Sequence, residues 1–380
     1  MWRGRKKENP GGKKRIRMEN PKGGQEPGTA DENAYPSQGR RGQRPPHAQG
    51  GIGVIFDQME FHNVVELEQR PGMPGYLMHR FPKEVREAVN QDVADLCRSV
   101  ELRFYIEEKC AIRGVVYLMA RACDGEAVVF YGDYQQSQVI PLPRGVVTPV
   151  EIDLPEALLS MPSRRFSNRV CRIFINSRTP VSYIGREWLR IRPPRPEEKP
   201  GKLLVAHGSS ITHGGLARSN CNCYVQLAAR RLGMDVLNLG MSGSCFAEPE
   251  MIDFVAKAGG DAVFLELGAN MLGSVPVEEY ERRVTAAMER VAKGHAGVPV
   301  LATALYPSRH VSETYRAYEK ALSGAVARLA LPNLFYVDAW ELLPDFTGLS
   351  TDGLHPSDWG HMLIGENLAA RIQERLGGEV

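Results

Sequence analysis

The sequence predicts an α/β protein, with a parallel sheet covered by helices on both faces in its C-terminal half and an all-β sandwich before it. Three observations lead there. After Gly201, short apolar runs alternate five times with longer amphipathic stretches, the rhythm of strand and helix in an open parallel sheet. Between 51 and 192 the runs are short, β-branched and aromatic, and separated by turn residues. The two textures meet at 193–200, PPRPEEKP, where four prolines remove backbone donors and hold the chain extended, so a linker is expected there.

Composition narrows the class. The chain has 380 residues, 43% hydrophobic and 24% charged, which suits a globular protein of roughly two or three domains. A net charge of +2 implies no dominant polyanionic partner, and no apolar run approaches the ~20 residues that cross a bilayer. Residues 1–50 are rich in Gly, Pro, Lys, Arg and Gln with few large apolar side chains, and are expected to be a disordered tail. The basic runs at 5–7 and 13–15 suit nucleic acid or an anionic surface, but a solvated tail without a partner is the expected reading. The positive N-terminus has no apolar segment after it, which argues against secretion. Seven cysteines, at 97, 110, 123, 171, 221, 223 and 245, form no regular pattern and read as free thiols in a reducing, cytoplasmic compartment. Cys221 and Cys223 are too close for a CxxC knuckle, so no metal site is expected, although His207, His213, His310 and His361 are available ligand types.

The sandwich is read as strands at 54–56, 64–67, 100–106, 114–121, 127–131, 147–154, 171–175 and 183–190, a set that fits an antiparallel jelly-roll-like sandwich. Asp124-Gly125 is expected to turn a hairpin, and one helix is expected over 82–97, with Val85, Val89, Val93 and Leu96 on one face. In the domain at 201–380, strands are read at 203–206, 235–239, 262–267, 300–305 and 334–337. Helices are read at 220–232, 249–258, 277–293, 313–329 and 358–376. The third helix is the clearest, with Pro276 opening it, Gly294 following it and Val277, Tyr280, Val284, Ala287, Met288 and Val291 in one stripe.

Four segments then coincide with strand ends, where open parallel sheets place their ligands. The run 203–206 ends in His207-Gly208, after which Ser209, Ser210 and Thr212 crowd the turn. Such residues also cap helices, so their meaning depends on partners. The second strand leads into Asn238-Leu239-Gly240-Met241-Ser242-Gly243, an ordinary glycine loop if taken alone. The third leads into Glu266-Leu267-Gly268-Ala269-Asn270-Met271, where an Asn is usually a turn former. Before the last helix stands Thr351-Asp352-Gly353-Leu354-His355-Pro356-Ser357. There an Asp three residues ahead of a His can fix its tautomer, or the pair can merely shape a turn.

Taken together, 203–376 resembles the SGNH, or GDSL-type, hydrolase family, whose order is serine, glycine, asparagine and then DxxH. Residues 208–214, GSSITHG, resemble a variant of its first block. The resemblance implies a flavodoxin-like three-layer domain with no cofactor and no metal. It implies Ser210 as nucleophile, His355 as general base, and Asp352 as the carboxylate that orients it. The implied oxyanion hole is the backbone N–H of Ser210 and of Gly243 with the side-chain amide of Asn270. Two departures stand out: Ser209 replaces the aspartate of the GDS form, and Met271 replaces the aspartate that often follows the block asparagine. Joined to a β-sandwich, the domain resembles two-domain carbohydrate esterases. The expected function is therefore a serine esterase acting through an acyl-enzyme on short-chain, foremost acetyl, esters. The expected partner is a small-molecule or carbohydrate ester. Acyl transfer to an alcohol and non-catalytic glycan binding are the rivals; the oligomeric state is not readable. Trp359, His361, Met271 and Tyr306 lie near enough in sequence to line the crevice, yet each suits core or surface equally well.

Overall fold

The computed structural model describes residues 52–107 and 114–377. The expectations for the tail at 1–50 and for Cys110 lie outside the described residues. Two antiparallel sheets form the N-terminal part. Their strands are β1 (Gly53–Phe56), β2 (Met59–His62), β3 (Glu66–Glu68), β4 (Tyr76–His79), β5 (Val100–Ile106), β6 (Gly114–Ala120), β7 (Gly125–Tyr131), β8 (Tyr134–Leu142), β9 (Thr148–Ile152), β10 (Val170–Ile175), β11 (Val181–Glu187) and β12 (Ile191–Arg192). One sheet runs β1-β2-β5-β10-β7-β8 with β12 beside β5, and the other runs β3-β4-β11-β6-β9. Met59, Phe61, Leu102, Phe104, Leu118, Val129 and Ile173 are buried in the core that these strands form.

Two expectations need correction here. Asp124-Gly125 does not close a hairpin, because β6 and β7 belong to different sheets; Asp124 instead accepts a hydrogen bond from Arg144 N–H at 2.8 Å. Two-residue hairpin turns stand instead at Asp57-Gln58, between the paired residues Phe56 and Met59, and at Gly132-Asp133, between Tyr131 and Tyr134. The helix expected over 82–97 is two shorter ones, α1 (Lys83–Ala88) and α2 (Gln91–Ala94). Val89 turns extended after α1, and the Asn90 side chain accepts from Asp92 N–H to cap α2, so an Asn inside the apolar stripe restarts the helix. The proline segment is tied down: Pro196–Glu198 forms a 3₁₀ turn, Glu198 pairs with Arg192 at 2.6 Å and Lys199 with Glu60 at 2.6 Å.

The C-terminal part is a parallel sheet of β13 (Leu203–His207), β14 (Asp235–Asn238), β15 (Ala262–Glu266), β16 (Val300–Thr303) and β17 (Leu334–Tyr336), in the spatial order β14-β13-β15-β16-β17. That is the 2-1-3-4-5 arrangement, whose switch point lies between the first and third strands. The strands are buried on both faces, hence their near-continuous apolar runs. The helices are α3 (Tyr224–Leu232), α4 (Pro249–Ala256), α5 (Val277–Gly294), α6 (Glu313–Leu329), α7 (Ala339–Leu342) and α8 (Asp358–Leu376). α3 and α8 cover one face, burying Tyr224, Ala228, Ile364 and Leu368 with Phe264 and Leu301. α4, α5 and α6 cover the other, with Val255, Val284, Met288 and Leu322 around Val263 and Leu265. Among the described residues no helix is long and apolar enough to cross a membrane.

The free edge of β14 is closed by side chains from the β-sheet part. Its outward carbonyls alternate, and each has a donor. Arg165 Nη1 reaches Met234 O at 3.2 Å, His62 Nε2 reaches Val236 O at 2.8 Å, and Asn63 Nδ2 reaches Asn238 O at 3.0 Å. Arg80 Nη2 reaches Asn238 O at 2.8 Å and Gly240 O at 3.3 Å. These donors occupy the row that a further strand would have filled. Beside them Arg103, fully buried, pairs with Asp235 at 2.6 Å and with Glu101 at 2.8 Å.

Candidate active site

Beyond β13 the chain makes a single turn instead of entering a helix. His213 N–H bonds to Ser209 O at 3.0 Å and Gly215 N–H to Ser210 O at 2.6 Å, and α3 begins only at Tyr224. Ser209 faces inward: its N–H and Oγ each lie 2.7 Å from Glu266 Oε2, which Thr212 Oγ1 also reaches at 3.0 Å. Glu266 ends β15 and is fully buried; burial pushes its carboxyl up to about 7, against the hydrogen bonds from Ser209 and Thr212. A carboxylate from the neighbouring strand therefore braces the turn in which Ser209 stands for an acid. The signal was in the sequence, as the one charged residue at the end of an apolar run, but its partner was not.

Ser210 faces the other way and is partly exposed. Its Oγ lies 2.7 Å from His355 Nε2, and His355 Nδ1 lies 2.7 Å from Asp352 Oδ2. Asp352 Oδ1 accepts from Ser350 Oγ at 2.8 Å, Leu354 N–H at 2.9 Å and His355 N–H at 3.0 Å. Burial alone would raise the Asp352 carboxyl. The hydrogen bonds from the His355 ring, these two N–H groups and Ser350 outweigh it and hold the carboxyl well below the usual range. An ionised carboxylate only accepts, so the network assigns the imidazole proton to Nδ1 and leaves Nε2 to accept the Ser210 hydroxyl proton. Gly215 backs the ring closely: a Cβ there would stand 2.7 Å from His355 Cδ2.

The other two expected residues lie on adjoining loops. Met241 N–H bonds to Gly208 O at 2.8 Å, which ties the loop after β14 to the serine turn, and Gly243 in that loop adopts φ +67°, where a side chain would be strained. Asn270 Oδ1 accepts from Cys245 N–H at 3.0 Å, which assigns the amide and turns its Nδ2 donor the other way. Of the four crevice candidates, His361, Met271 and Tyr306 are buried, and Trp359 is exposed. His207, His213 and His361 are buried too, and desolvation lowers each imidazole below its ordinary value. Among the described residues no three His, Cys, Asp or Glu side chains cluster so as to hold a metal. The described cysteines are unpaired. Sequence reasoning missed Glu266, Ser350 and the buried Arg80, whose Nη1 lies 3.0 Å from His213 Nε2.

No curated protein sequence matches the chain. Among solved structures, the salicylyl-acyltransferase SsfX3 from a tetracycline biosynthetic pathway shares 15% identity over 86% of this chain and 98% of its own, at a TM-score of 0.68. A family two carbohydrate esterase from Cellvibrio japonicus shares 12% over 86% and 97%, at 0.59. One from Clostridium thermocellum, in complex with cellohexaose, shares 14% over 73% and 92%, at 0.55. These likenesses are of fold. Residues 201–373, which carry the serine turn, both loops and the His355 segment, match the GDSL-like Lipase/Acylhydrolase family.

Proposed function

We propose that the protein is a serine esterase of the GSSITHG kind that cleaves short-chain, foremost acetyl, esters through an acyl-enzyme on Ser210. The observation that carries this reading is the unbroken hydrogen-bonded series Ser210–His355–Asp352, with the acceptor nitrogen turned to the hydroxyl. A serine hydroxyl is a poor nucleophile at neutral pH, so His355 Nε2 takes its proton as Oγ attacks the ester carbonyl. The developing oxyanion is received by the Ser210 and Gly243 N–H groups and the Asn270 amide. His355 then returns the proton to the leaving alcohol, and water repeats the sequence to release the acid. Asp352 steadies the imidazolium throughout.

Two features bear on the acceptor and the substrate. The His355 and Asp352 side chains are 21% and 39% exposed, so water can reach the base and complete hydrolysis of the acyl-enzyme. The fold shared with carbohydrate esterases makes an acetylated sugar the first substrate to test. The same connected series weighs against a purely glycan-binding role. The test is hydrolysis of p-nitrophenyl acetate by the purified protein and by Ser210→Ala, with and without an acceptor alcohol, followed by acetylated sugars. Loss of nearly all turnover in Ser210→Ala, with acetate as the product even beside the alcohol, is the expected result. Equal rates in the two proteins refute the reading, and acetylated alcohol as the main product replaces it with acyl transfer.

A further inference from the structure

Arg80 follows β4 in the β-sheet part and is fully buried against the parallel sheet. Among the described residues its hydrogen bonds go to Asn238 O, Gly240 O and His213 Nε2, and none to a carboxylate. An ion buried without a counter-ion is costly, and desolvation pulls this guanidinium down to about 9. Such a residue persists where its geometry is needed, and here its fork spans two segments of the proposed site at once. A guanidinium only donates, so His213 Nε2 must accept and His213 Nδ1 must carry the proton. Nδ1 lies 2.9 Å from Ser242 Oγ, and Ser242 immediately precedes Gly243. The row of donors that closes the edge of β14 therefore continues through Arg80 and His213 into the loop bearing the second oxyanion N–H.

We propose that Arg80 is a positioning residue: acting through His213 and Ser242, it holds the loop after β14 so that the Gly243 N–H stands ready for the oxyanion. The β-sheet part is then a working component of the site, supplying the clamp that the parallel-sheet part lacks. The proposal rests on the esterase reading for its chemistry but not for its geometry, and the test separates the two.

The variants are Arg80→Lys, Ser242→Ala and the pair combined. Lysine keeps the charge but, with its three donors on one nitrogen, cannot span the acceptors that Nη1 and Nη2 of the fork reach separately. Amide hydrogen exchange over 238–245 and 350–357 is followed by mass spectrometry. p-Nitrophenyl acetate turnover is expressed per site titrated with diethyl p-nitrophenyl phosphate, which removes misfolded protein from the count. Arg80→Lys should speed exchange over 238–245 and leave 350–357 as in wild type. Its kcat per site should fall by roughly tenfold to a hundredfold, short of losing a whole oxyanion donor. KM and the pH dependence of kcat should hold, and the double variant should be no worse than the poorer single one. Unchanged exchange over 238–245, kcat per site near wild type, or additive losses would each overturn the proposal. If Arg80→Lys does not fold, His213→Gln and Ser242→Ala interrupt the same series from the loop side and are read identically. A wild-type protein no faster than Ser210→Ala refutes the esterase reading instead, and the exchange data still decide the role of Arg80.

Discussion

Asp352 offers the sharpest separation between charge and geometry in the proposed site. Its Oδ1 accepts three donors, and Oδ2 alone faces His355 Nδ1. Replacing it with asparagine leaves no choice of orientation: the amide oxygen must take the place of Oδ1, so the NH₂ group is driven against Nδ1. That donor pins the imidazole in the opposite tautomer, with N–H at Nε2 facing Ser210, where it cannot act as a base. Alanine removes the carboxylate without imposing the wrong tautomer. Two unit charges about 4 Å apart are worth roughly 1 kcal/mol in water and roughly 4 kcal/mol in a protein-surface environment. With the Asp352 side chain 39% exposed, solvent screening places the pair in the lower part of that range. Asp352→Ala should then lower kcat by roughly tenfold to a hundredfold, at about 1.4 kcal/mol per decade. Asp352→Asn, with the tautomer inverted as well, should lose roughly 10³- to 10⁴-fold. The assay is kcat for p-nitrophenyl acetate with stability followed by thermal melting, and formate is added to the alanine variant to restore a carboxylate. An asparagine variant as active as the alanine variant, or more so, would refute the assignment of Asp352 as the tautomer-setting partner.

Asn270→Ala should reduce kcat by roughly 10²- to 10³-fold with little change in KM, because the proposed amide donor is used only once the oxyanion forms; an equal rise in KM instead would assign it to substrate binding. In Gly215→Ala the new Cβ would stand 2.7 Å from His355 Cδ2 and 2.9 Å from Ser210 O, so the ring or the serine turn must shift, and turnover should drop about a hundredfold with some loss of melting temperature. A variant with wild-type kcat would show that the ring has room to spare. Glu266 binds its proton more tightly folded than unfolded, about 7 against an ordinary 4.5, so the stability it supplies is complete below pH 4.5 and fades as pH rises through 7. That loss is at most roughly 3 kcal/mol. Glu266→Gln should flatten the fall in melting temperature between about pH 5 and pH 8, and a variant with the wild-type slope would assign that fall to other groups.

Much of the C-terminal half was legible because its strands are buried on both faces and its helices carry their own signals. The helices Glu313–Leu329 and Asp358–Leu376 match the sequence reading residue for residue, and each opens on a serine, Ser312 or Ser357, that caps it. In the β-sheet half the pattern was weaker. β8, YQQSQVIPL, is an edge strand largely open to solvent, so no apolar alternation announced it, and Pro141 is tolerable only because the strand is at the edge. β2 and β4 bury polar side chains, Glu60 and His62 in the one and His79 in the other, which broke the apolar pattern. Ser210, His355 and Asp352 were marked by their places after strands and by the spacing of a known motif. Arg80 had no such mark. Its partner His213 lies 133 residues on, in the other half of the chain, and only the fold discloses that the edge of β14 needs donors there.

The central claim is that the hydroxyl at 210 is acylated. Brief mixing with p-nitrophenyl acetate, an acid quench and peptide mass spectrometry test it most directly. The account predicts an acetyl group on the peptide containing Ser210 in wild type quenched during turnover, and none in Ser210→Ala. Ester turnover that persists in Ser210→Ala, or an acetyl group on a different side chain in turnover-competent protein, would contradict it.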